Sequence, residues 1–272
     1  MADKRILLVA QEISPYLPES VNSKMGRDLP KEMFDRGYEV RTFMPKFGQI
    51  NERRNQLHEV IRLSGMNISI NDSDHPLIIK VASLQPARIQ VYFIDNDDYF
   101  QRLESDEDAV GSNRDDNDER AIFFARGTME TVKKLRWEPD VIQCQGWITA
   151  LAPMYLRKMY AGDASFRDAR IVYSIVDGEP YGSPDAELLK KLRADNLDDK
   201  DLAEFKDDKF TADTLHKLAM KYSDGVIFST PNVSDDVKDF AAKLGLPVLG
   251  YEKASESYDA YNDFYLQLLK DK

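Results

Sequence analysis

Polar side chains follow a predicted buried strand in the segment DVIQCQGWIT (140–149). Open α/β sheets bind ligands at the carboxyl ends of their strands, so Gln143, Gln145 and Gly146 are candidates for a ligand site. A glutamine amide hydrogen-bonds a hydroxyl group, but it carries no charge and exchanges no proton near neutral pH. The segment contains no histidine, and it therefore favours binding of a polar ligand over acid–base catalysis.

Neither metal nor thiol chemistry is indicated. The histidines, His58, His75 and His216, lack the spacing of a metal site, so we expect no bound metal. Cys144 is the only cysteine and lies in the predicted buried strand, where a thiol behaves as a small, inert hydrophobic group. A single cysteine excludes an intramolecular disulfide and fits the reducing cytoplasm, where we expect the protein to be.

The composition is that of an acidic globular protein. The chain has 272 residues, of which 42% are hydrophobic, so a substantial core is expected. Its formal net charge of −11 disfavours binding of nucleic acid or of an anionic membrane through bulk charge. The acidic segments 95–98, 104–108 and 114–119 lack the residue order of a calcium loop, so we expect them to be solvated surface. No apolar stretch is long enough for a membrane helix, and MADKRILLVAQEI fits a first strand better than a signal peptide.

Apolar segments rich in β-branched residues alternate with segments of helical period along most of the chain. This alternation predicts a doubly wound α/β domain with a mostly parallel sheet. Four segments between residues 58 and 95 follow one another without helices, and their short connections predict appended antiparallel hairpins. Asn117 is a candidate N-cap. The predicted strands are 5–10, 39–45, 58–63, 66–70, 76–84, 88–95, 140–145, 170–176, 225–230 and 247–251, and the predicted helices are 24–36, 118–135, 147–159, 212–222 and 233–244.

Several stretches share their order and spacing with one enzyme family. They are ILLVAQEISPY (6–16), LPKEMFDRGYEVRTFMPKFGQI (29–50), VYFIDNDDYFQR (91–102), DNDERAIFFARGTMETVKKLRWEPDVIQC (116–144), WITALAPMYLR (147–157) and SDGVIFSTPNVSDDV (223–237). Together they resemble the N-terminal catalytic domain of bacterial glycogen synthases and plant starch synthases. That family comprises retaining glucosyltransferases of the GT-B fold, in which two Rossmann-like domains face a cleft that takes ADP-glucose. The resemblance implies that residues 1–250 form the first of these domains and that the second is missing from this chain.

The loop that meets the nucleotide-sugar phosphates in this family differs here. After the segment that ISPY resembles, the family has Lys-x-Gly-Gly-Leu. Ungapped alignment places Pro18 at the lysine, and Ser20 and Val21 at the two glycines. Proline removes a cation and a backbone donor, and valine disfavours the positive φ that glycine permits. Lys24 is the nearest replacement, although its position in a predicted helix need not face the cleft.

Two further ligand segments of the family also differ. The family has His-x-His-Asp-Trp-His after one strand and His-Asn after the next. This chain has Gln143, Gln145, Gly146, Trp147 and Ile148 at the first segment, and Val176 and Asp177 at the second. Every imidazole of both segments is therefore absent, so we expect no transferase activity from this chain alone.

The last residues, 251–272, are predicted to form an amphipathic helix that packs back on the domain. It is either the equivalent of the family's final helix, which crosses back to the first domain, or an added capping helix. The apolar face would comprise Tyr258, Tyr261, Phe264, Tyr265, Leu268 and Leu269.

Three functions remain open. The chain could bind a sugar, glucan or nucleotide without catalysis, or it could act as an interaction or scaffold protein through the former inter-domain face, as a homodimer or with another protein. It could also transfer glucose when a partner chain supplies the second domain. No cofactor is expected, and a tryptophan at a helix start is also typical of a core position. The candidate cleft residues are Glu12, Tyr16, Pro18, Glu19, Ser20, Lys24, Gln143, Gln145, Gly146, Trp147, Asp177, Glu179 and Tyr181.

Overall fold

A single twisted sheet carries the helices of the molecule on its two faces. The computed structural model describes residues 4–178, 187–198, 200–202 and 211–270. In these residues the strands are β1 (Arg5–Ala10), β2 (Glu39–Pro45), β3 (His58–Glu59), β4 (Met66–Ile70), β5 (Ser73–Leu84), β6 (Ile89–Asp95), β7 (Val141–Gln145), β8 (Arg170–Ile175), β9 (Gly225–Phe228) and β10 (Val248–Leu249). The α-helices are α1 (Val21–Asp35), α2 (Asp97–Phe100), α3 (Asn117–Leu135), α4 (Ala152–Lys158), α5 (Leu188–Ala194), α6 (Ala212–Lys221), α7 (Asp235–Leu244), α8 (Tyr251–Glu256) and α9 (Tyr258–Lys270).

Successive strands are added to the sheet first on one side of β1 and then on the other side. The order is β10-β9-β8-β7-β1-β2-β6-β5-β3, with β4 paired to β5. From β10 to β6 all neighbouring strands are parallel. The chain builds outward from β1 through β2 to β6, and then returns to build β7, β8, β9 and β10 on the other side of β1. The predicted α/β fold with a mostly parallel, doubly wound sheet is confirmed.

Alternation along the strands decides which helix each side chain meets. Gly225 on β9 packs against Phe264 of α9, and Gln143 on β7 meets Tyr265 of the same helix. Tyr173, which points to the opposite face of β8, contacts His216 of α6. Helices α1 and α9 therefore cover one face of the sheet, and α3, α4 and α6 cover the other.

The strands between residues 58 and 95, which were predicted to form appended antiparallel hairpins, differ in part from the prediction. Strand β5 pairs antiparallel with β3, β4 and β6, as expected for hairpins. Strand β6 also pairs in parallel with β2, so it belongs to the central sheet. Parallel strands need a long crossover connection. Here the whole segment between β2 and β6, which includes β3, β4 and β5, forms that crossover. Residues 60–63 form turns and not the predicted strand.

Most helix starts also differ: α1 begins at Val21, three residues before its predicted start, and α7 at Asp235, two residues after it. Asn117 is the first residue of α3 and not its N-cap, and Asp116 holds the cap position without a side-chain hydrogen bond to the helix. The predicted helix 147–159 is divided into a 3₁₀ turn, Trp147–Thr149, followed by α4. Pro153 lies near the start of α4. Proline is tolerated in a first helical turn because the backbone N–H groups there have no acceptor within the helix, so the N–H that proline lacks is not needed.

Helix α9 is attached to the sheet and to α1 by both apolar and polar contacts. Its buried side chains are Tyr261, Phe264, Tyr265 and Leu268. The Tyr38 hydroxyl donates to Asn262 Oδ1 at 2.8 Å, and Arg36 forms an ion pair with Asp259 at 2.5 Å. Within the described residues, no helix has both the length and the apolar character needed to cross a membrane.

Candidate ligand crevice

The reversal in strand order places the carboxyl ends of β1 and β7 side by side, and we call the region around these ends the crevice. In doubly wound sheets, loops from such neighbouring strands diverge to opposite faces and leave a ligand-sized gap. Gln11 and Glu12 directly follow β1, Gln145 ends β7, and Gly146 follows it. Asp177 lies just after the next strand, β8, so the sheet brings these polar residues to one edge.

A carboxylate of the chain itself lies at the amino terminus of α1. Ser20 caps this helix: its Oγ accepts from the backbone N–H of Ser23, and Ser23 Oγ accepts from the backbone N–H of Ser20. The Ser20 hydroxyl in turn donates to Glu12 Oε2 at 2.6 Å. The positive end of the helix dipole favours an anion at this place, and Glu12 supplies one.

Asn22, in the first turn of α1, connects three loops of the crevice. Its Nδ2 donates to the backbone carbonyl of Asp177 at 2.7 Å and to Glu12 Oε1 at 3.4 Å. Its own carbonyl accepts from Gln145 Nε2 at 3.5 Å. The buried Asn22 side chain therefore joins the loops after β1 and β8, and the Asn22 backbone carbonyl contacts the end of β7.

Asp177 is held from its other side by residues after β9. Its Oδ1 accepts from Thr230 Oγ1 at 2.5 Å and from Asn232 Nδ2 at 2.9 Å. A cavity of about 200 Å³ adjoins Asp177, with Asp213 and His216 on its wall. Neither lysine nor arginine is among the described residues that line this cavity.

Gly146 and Gln11 are fitted to each other. Gly146 has φ +87°, a conformation that residues with a side chain rarely adopt. A Cβ at this position would lie 2.6 Å from Gln11 Oε1 and 2.9 Å from Gln11 Cβ. Gln11 is buried, so its amide occupies the space that a side chain at residue 146 would need.

Three of the expected cleft residues lie in the core. Tyr16 packs edge-on against Phe93, with ring centroids 4.9 Å apart, and burial raises the pKa of its hydroxyl to about 12. Gln143 is fully buried and accepts a hydrogen bond from Tyr265 of α9. Trp147 is also buried, and its Nε1 has no hydrogen-bond partner among the described residues.

The remaining candidates are exposed or outside the described residues. Pro18, Glu19 and Lys24 lie at the surface around the start of α1. Lys24 Nζ is 3.3 Å from Glu19 Oε2, so this lysine already has a carboxylate partner. Glu179 and Tyr181 fall outside the described residues.

The histidines have separate surroundings. His58 is exposed on β3, and His216 Nδ1 is 2.9 Å from the Tyr173 hydroxyl. His75 lies between Asp98 and Tyr99, with Nδ1 3.3 Å from Asp98 Oδ2 and Nε2 3.0 Å from the Tyr99 hydroxyl. In the described part of the chain, no three His, Cys, Asp or Glu side chains form a group that could hold a metal ion.

Sequence reasoning missed several members of the crevice. Gln11 and Thr230 follow predicted strands at the carboxyl-end edge, and that position alone could have identified them. Asn22 gives no such signal, because it lies in the first turn of a helix and acts through a loop 155 residues away.

Comparison with known proteins agrees with the fold. A model of the starch synthase catalytic domain matches residues 5–249. Glycogen synthase of Chlorobium limicola is 36% identical over 189 residues, which are 69% of this chain and 39% of that protein. Glycogen synthase of Chlorobaculum parvum is 31% identical over 236 residues, which are 86% of this chain and 47% of that protein.

The catalytic domain of starch synthase IV from Arabidopsis thaliana, solved with ADP and acarbose, superposes with a TM-score of 0.72 at 18% identity. The match covers 92% of this chain and 51% of the Arabidopsis chain. The fold is thus that of one half of a two-domain GT-B glycosyltransferase. The chain belongs to the starch synthase catalytic-domain family, which includes the glycogen synthases, and it spans less than half the length of the two bacterial relatives.

Proposed function

We propose that this protein is a non-catalytic member of the glycogen and starch synthase family, which binds a neutral sugar or glucan and does not itself transfer glucose from ADP-glucose. The observation that carries the proposal is the start of α1, where Ser20 stands in place of a glycine: its Oγ accepts from the Ser23 N–H and donates to Glu12 Oε2 at 2.6 Å, so this helix terminus is already occupied by side chains.

A donor site for ADP-glucose needs positive charge where Glu12 lies. Helix amino termini bind phosphate through their free N–H groups and their dipole, and the related enzymes add a lysine and two glycines there. In this chain Ser20 Oγ caps the helix terminus and donates to the Glu12 carboxylate, and Pro18 and Ser20 replace the lysine and one glycine. Removing one preorganised donor from a charge-stabilising site typically costs about 3–4 kcal/mol of transition-state stabilisation.

The groups that remain in the crevice suit a ligand with hydroxyl groups. Thr230, Asn232 and Ser234 line the cavity beside Asp177 and supply hydroxyls and an amide, which pair with sugar hydroxyls and demand no charge on the ligand. The Arabidopsis relative was solved with both ADP and a sugar, so its fold accommodates both classes of ligand. We assign the sugar class to this chain because its crevice has lost the features that a diphosphate requires.

The direct test measures transfer and binding separately. Radiolabelled ADP-glucose incubated with the protein and glycogen should yield no more labelled polymer than a control without protein. Calorimetric titration should detect binding of malto-oligosaccharide and no binding of ADP. Labelled polymer above the control would contradict the absence of catalysis, and failure of malto-oligosaccharide to bind would contradict the sugar assignment.

Two matched variants test the role of the Glu12 charge. Glu12→Gln should gain measurable affinity for ADP, because it removes the anion from the helix terminus. Glu59→Gln, which removes an exposed carboxylate on β3, is the control and should change ADP affinity less. The expected difference is about tenfold, which corresponds to roughly 1.4 kcal/mol. Equal ADP binding by the wild type and both variants would show that Glu12 does not exclude phosphate.

A further inference from the structure

A second pocket lies at the edge of the sheet, at the carboxyl ends of β9 and β10. Its volume is about 520 Å³, and its apolar wall includes Phe228, Val233 and Val248. Tyr251, at the start of α8, adds an aromatic ring to this wall. We call it the lysine pocket, because Lys238 and Lys253 also line it.

The lysine pocket has the opposite charge to the rest of the molecule. Its charged lining residues are Lys238, Lys253 and Glu252, which leave one net positive charge on a chain whose formal charge is −11. The cavity beside Asp177, in contrast, is lined by two aspartates and by no described cation. The local electrostatic potential determines which charged ligands a pocket concentrates. Of these two pockets, the lysine pocket is therefore the one that attracts an anion.

At least one of the two ammonium groups is available to a ligand. Lys253 has no carboxylate within ion-pair distance among the described residues. Lys238 is 3.3 Å from Asp235, but both side chains are exposed, and a pair of this kind stabilises little in water. A ligand anion can therefore contact both lysines without breaking a buried ion pair.

The same pocket exposes apolar surface. Tyr251 is 38% exposed and Val248 is 40% exposed, and both are among the few large hydrophobic side chains at the described surface. Clustered apolar exposure beside fixed charges is typical of ligand sites, in which the apolar body supplies binding and the charge supplies orientation. An exposed tyrosine ring suits a flat body by stacking.

Part of this pocket lies outside the segment that the family shares. The family model matches residues 5–249, whereas Tyr251 and Lys253 follow that segment. The aromatic ring and the unpaired ammonium are therefore supplied by a part of the chain that the match does not cover.

We propose that the lysine pocket binds a small organic anion, in which a carboxylate or phosphate group is attached to a flat apolar body. The anionic group lies between Lys238 and Lys253, and the body lies against Tyr251 and Val248. This site shares Thr230 and Val233 with the cavity beside Asp177, but Lys238, Lys253 and Tyr251 do not line that cavity.

Four probe molecules test separately whether the pocket recognises the anionic group and whether it recognises the flat apolar body. Phenyl phosphate and benzoate have both the charge and the ring, inorganic phosphate has the charge alone, and benzylamine has the ring with the opposite charge. Titration followed by NMR should show that phenyl phosphate or benzoate binds more tightly than inorganic phosphate and benzylamine, at the residues of this pocket. The stronger of the two identifies the anionic group. Equal binding of benzylamine, or no binding of either aromatic anion, would overturn the proposal.

Variants locate the binding within the pocket. Lys253→Ala and Tyr251→Ala should each weaken binding of the better probe by about fivefold, as expected for one exposed charge or stacking contact. Lys243→Ala, which removes an exposed charge on α7 that lines none of the described pockets, should leave it unchanged. Thermal unfolding of each variant checks that its fold is intact. Equal loss in Lys243→Ala, or no loss in Lys253→Glu, would show that binding occurs elsewhere.

Discussion

At the scale of single residues, the backbone at Gly146 opposes restoration of the side chain that the family resemblance implies there. The related enzymes have an aspartate where this chain has Gly146, whose φ is +87°. Replacing the lost side chain would meet both backbone strain and the buried amide of Gln11, 2.6 Å from the new Cβ. Restoring family residues one at a time is therefore expected to disturb the crevice before it restores any activity.

Gly146→Ala should destabilise the protein by roughly 2–4 kcal/mol, because strain at positive φ and the clash with Gln11 add together. Gly178→Ala is the matched control, since its φ is +91° and its nearest Cβ neighbour is 3.8 Å away. The control should cost only the backbone strain, about 1–2 kcal/mol. Chemical denaturation measures both values, and equal losses would mean that Gln11 moves aside without cost.

Some site residues could be predicted from the sequence and others could not. Glu12, Gln145 and Asp177 follow strands, and the rule that ligand sites lie at strand ends was enough to bring them together. Gln143 faces the same side of the sheet as Gln145 and both are buried, but Gln143 contacts Tyr265 of α9 whereas Gln145 contacts Asn22. The Gln143 contact joins residues 122 positions apart, so no local pattern around Gln143 could reveal it.

At the scale of elements, α9 contributes a polar contact to the core. The Tyr265 hydroxyl donates to Gln143 Oε1, while Gln143 Nε2 has no partner among the described residues. Burial of Tyr265 raises the pKa of its hydroxyl well above the ordinary value, so it stays a neutral donor. The amphipathic pattern of residues 258–269 predicted the helix, but only the folded structure identifies this hydrogen bond.

Tyr265→Phe should lower the free energy of unfolding by about 1–3 kcal/mol, because it leaves a buried amide oxygen without a donor. Tyr258→Phe removes a hydroxyl that has no side-chain hydrogen bond to a described residue, so its effect should be within about 0.5 kcal/mol. Urea titration of the two variants makes the comparison. If both lost the same stability, the Gln143 contact would contribute nothing specific.

A cluster of ion pairs around Glu52 fixes the loop that follows β2. Glu52 Oε1 is 3.0 Å from Lys46 Nζ and 2.7 Å from Lys80 Nζ. Burial opposes the charge of Glu52, but its hydrogen bonds to Lys80 and Lys46 outweigh burial and lower its carboxyl pKa below the ordinary 4.5. A lowered folded-state pKa stabilises the protein above the ordinary value, and that contribution is lost as the pH falls through the folded-state pKa.

Glu52→Gln should therefore destabilise the protein at neutral pH, by roughly 0.5 kcal/mol because the pair is partly solvated. The difference from wild type should shrink below about pH 4.5, where the wild-type carboxylate becomes protonated. Glu59→Gln, at an exposed position on β3, is the control and should follow the wild-type profile. Thermal unfolding across the acid range measures this, and a difference that grew toward low pH would contradict the assignment.

At the scale of the whole molecule, the topology determines where ligands can bind. The reversal of strand order beside β1 creates the crevice, and the apolar alternation of the sequence was sufficient to predict that sheet. The parallel pairing of β6 with β2 was harder to predict from the sequence, because it depends on how the 43-residue connection between these strands, residues 46–88, returns to the sheet. Local periodicity identifies strands, but it does not determine which strand each one joins.

Helix α9 should unfold together with the sheet and not detach from it separately. Burial of its four core side chains contributes roughly 6–12 kcal/mol, which is comparable to the whole stability of a typical domain, about 5–15 kcal/mol. An opening that released α9 would also expose Gln143 and the β9 surface around Gly225, so the sheet would lose its cover at the same time.

Native-state hydrogen exchange tests this coupling. Amides of residues 262–268 should be protected to nearly the same free energy as amides of β1 and β7, and denaturant should lower both with the same slope. Phe264→Ala removes the ring that packs on Gly225, so it should lower protection in α9 and in β7 by similar amounts, about 3–5 kcal/mol. Exchange of α9 amides at low denaturant, while β7 stays protected, would instead define α9 as an independently opening segment and leave Gln143 and the β9 surface periodically exposed.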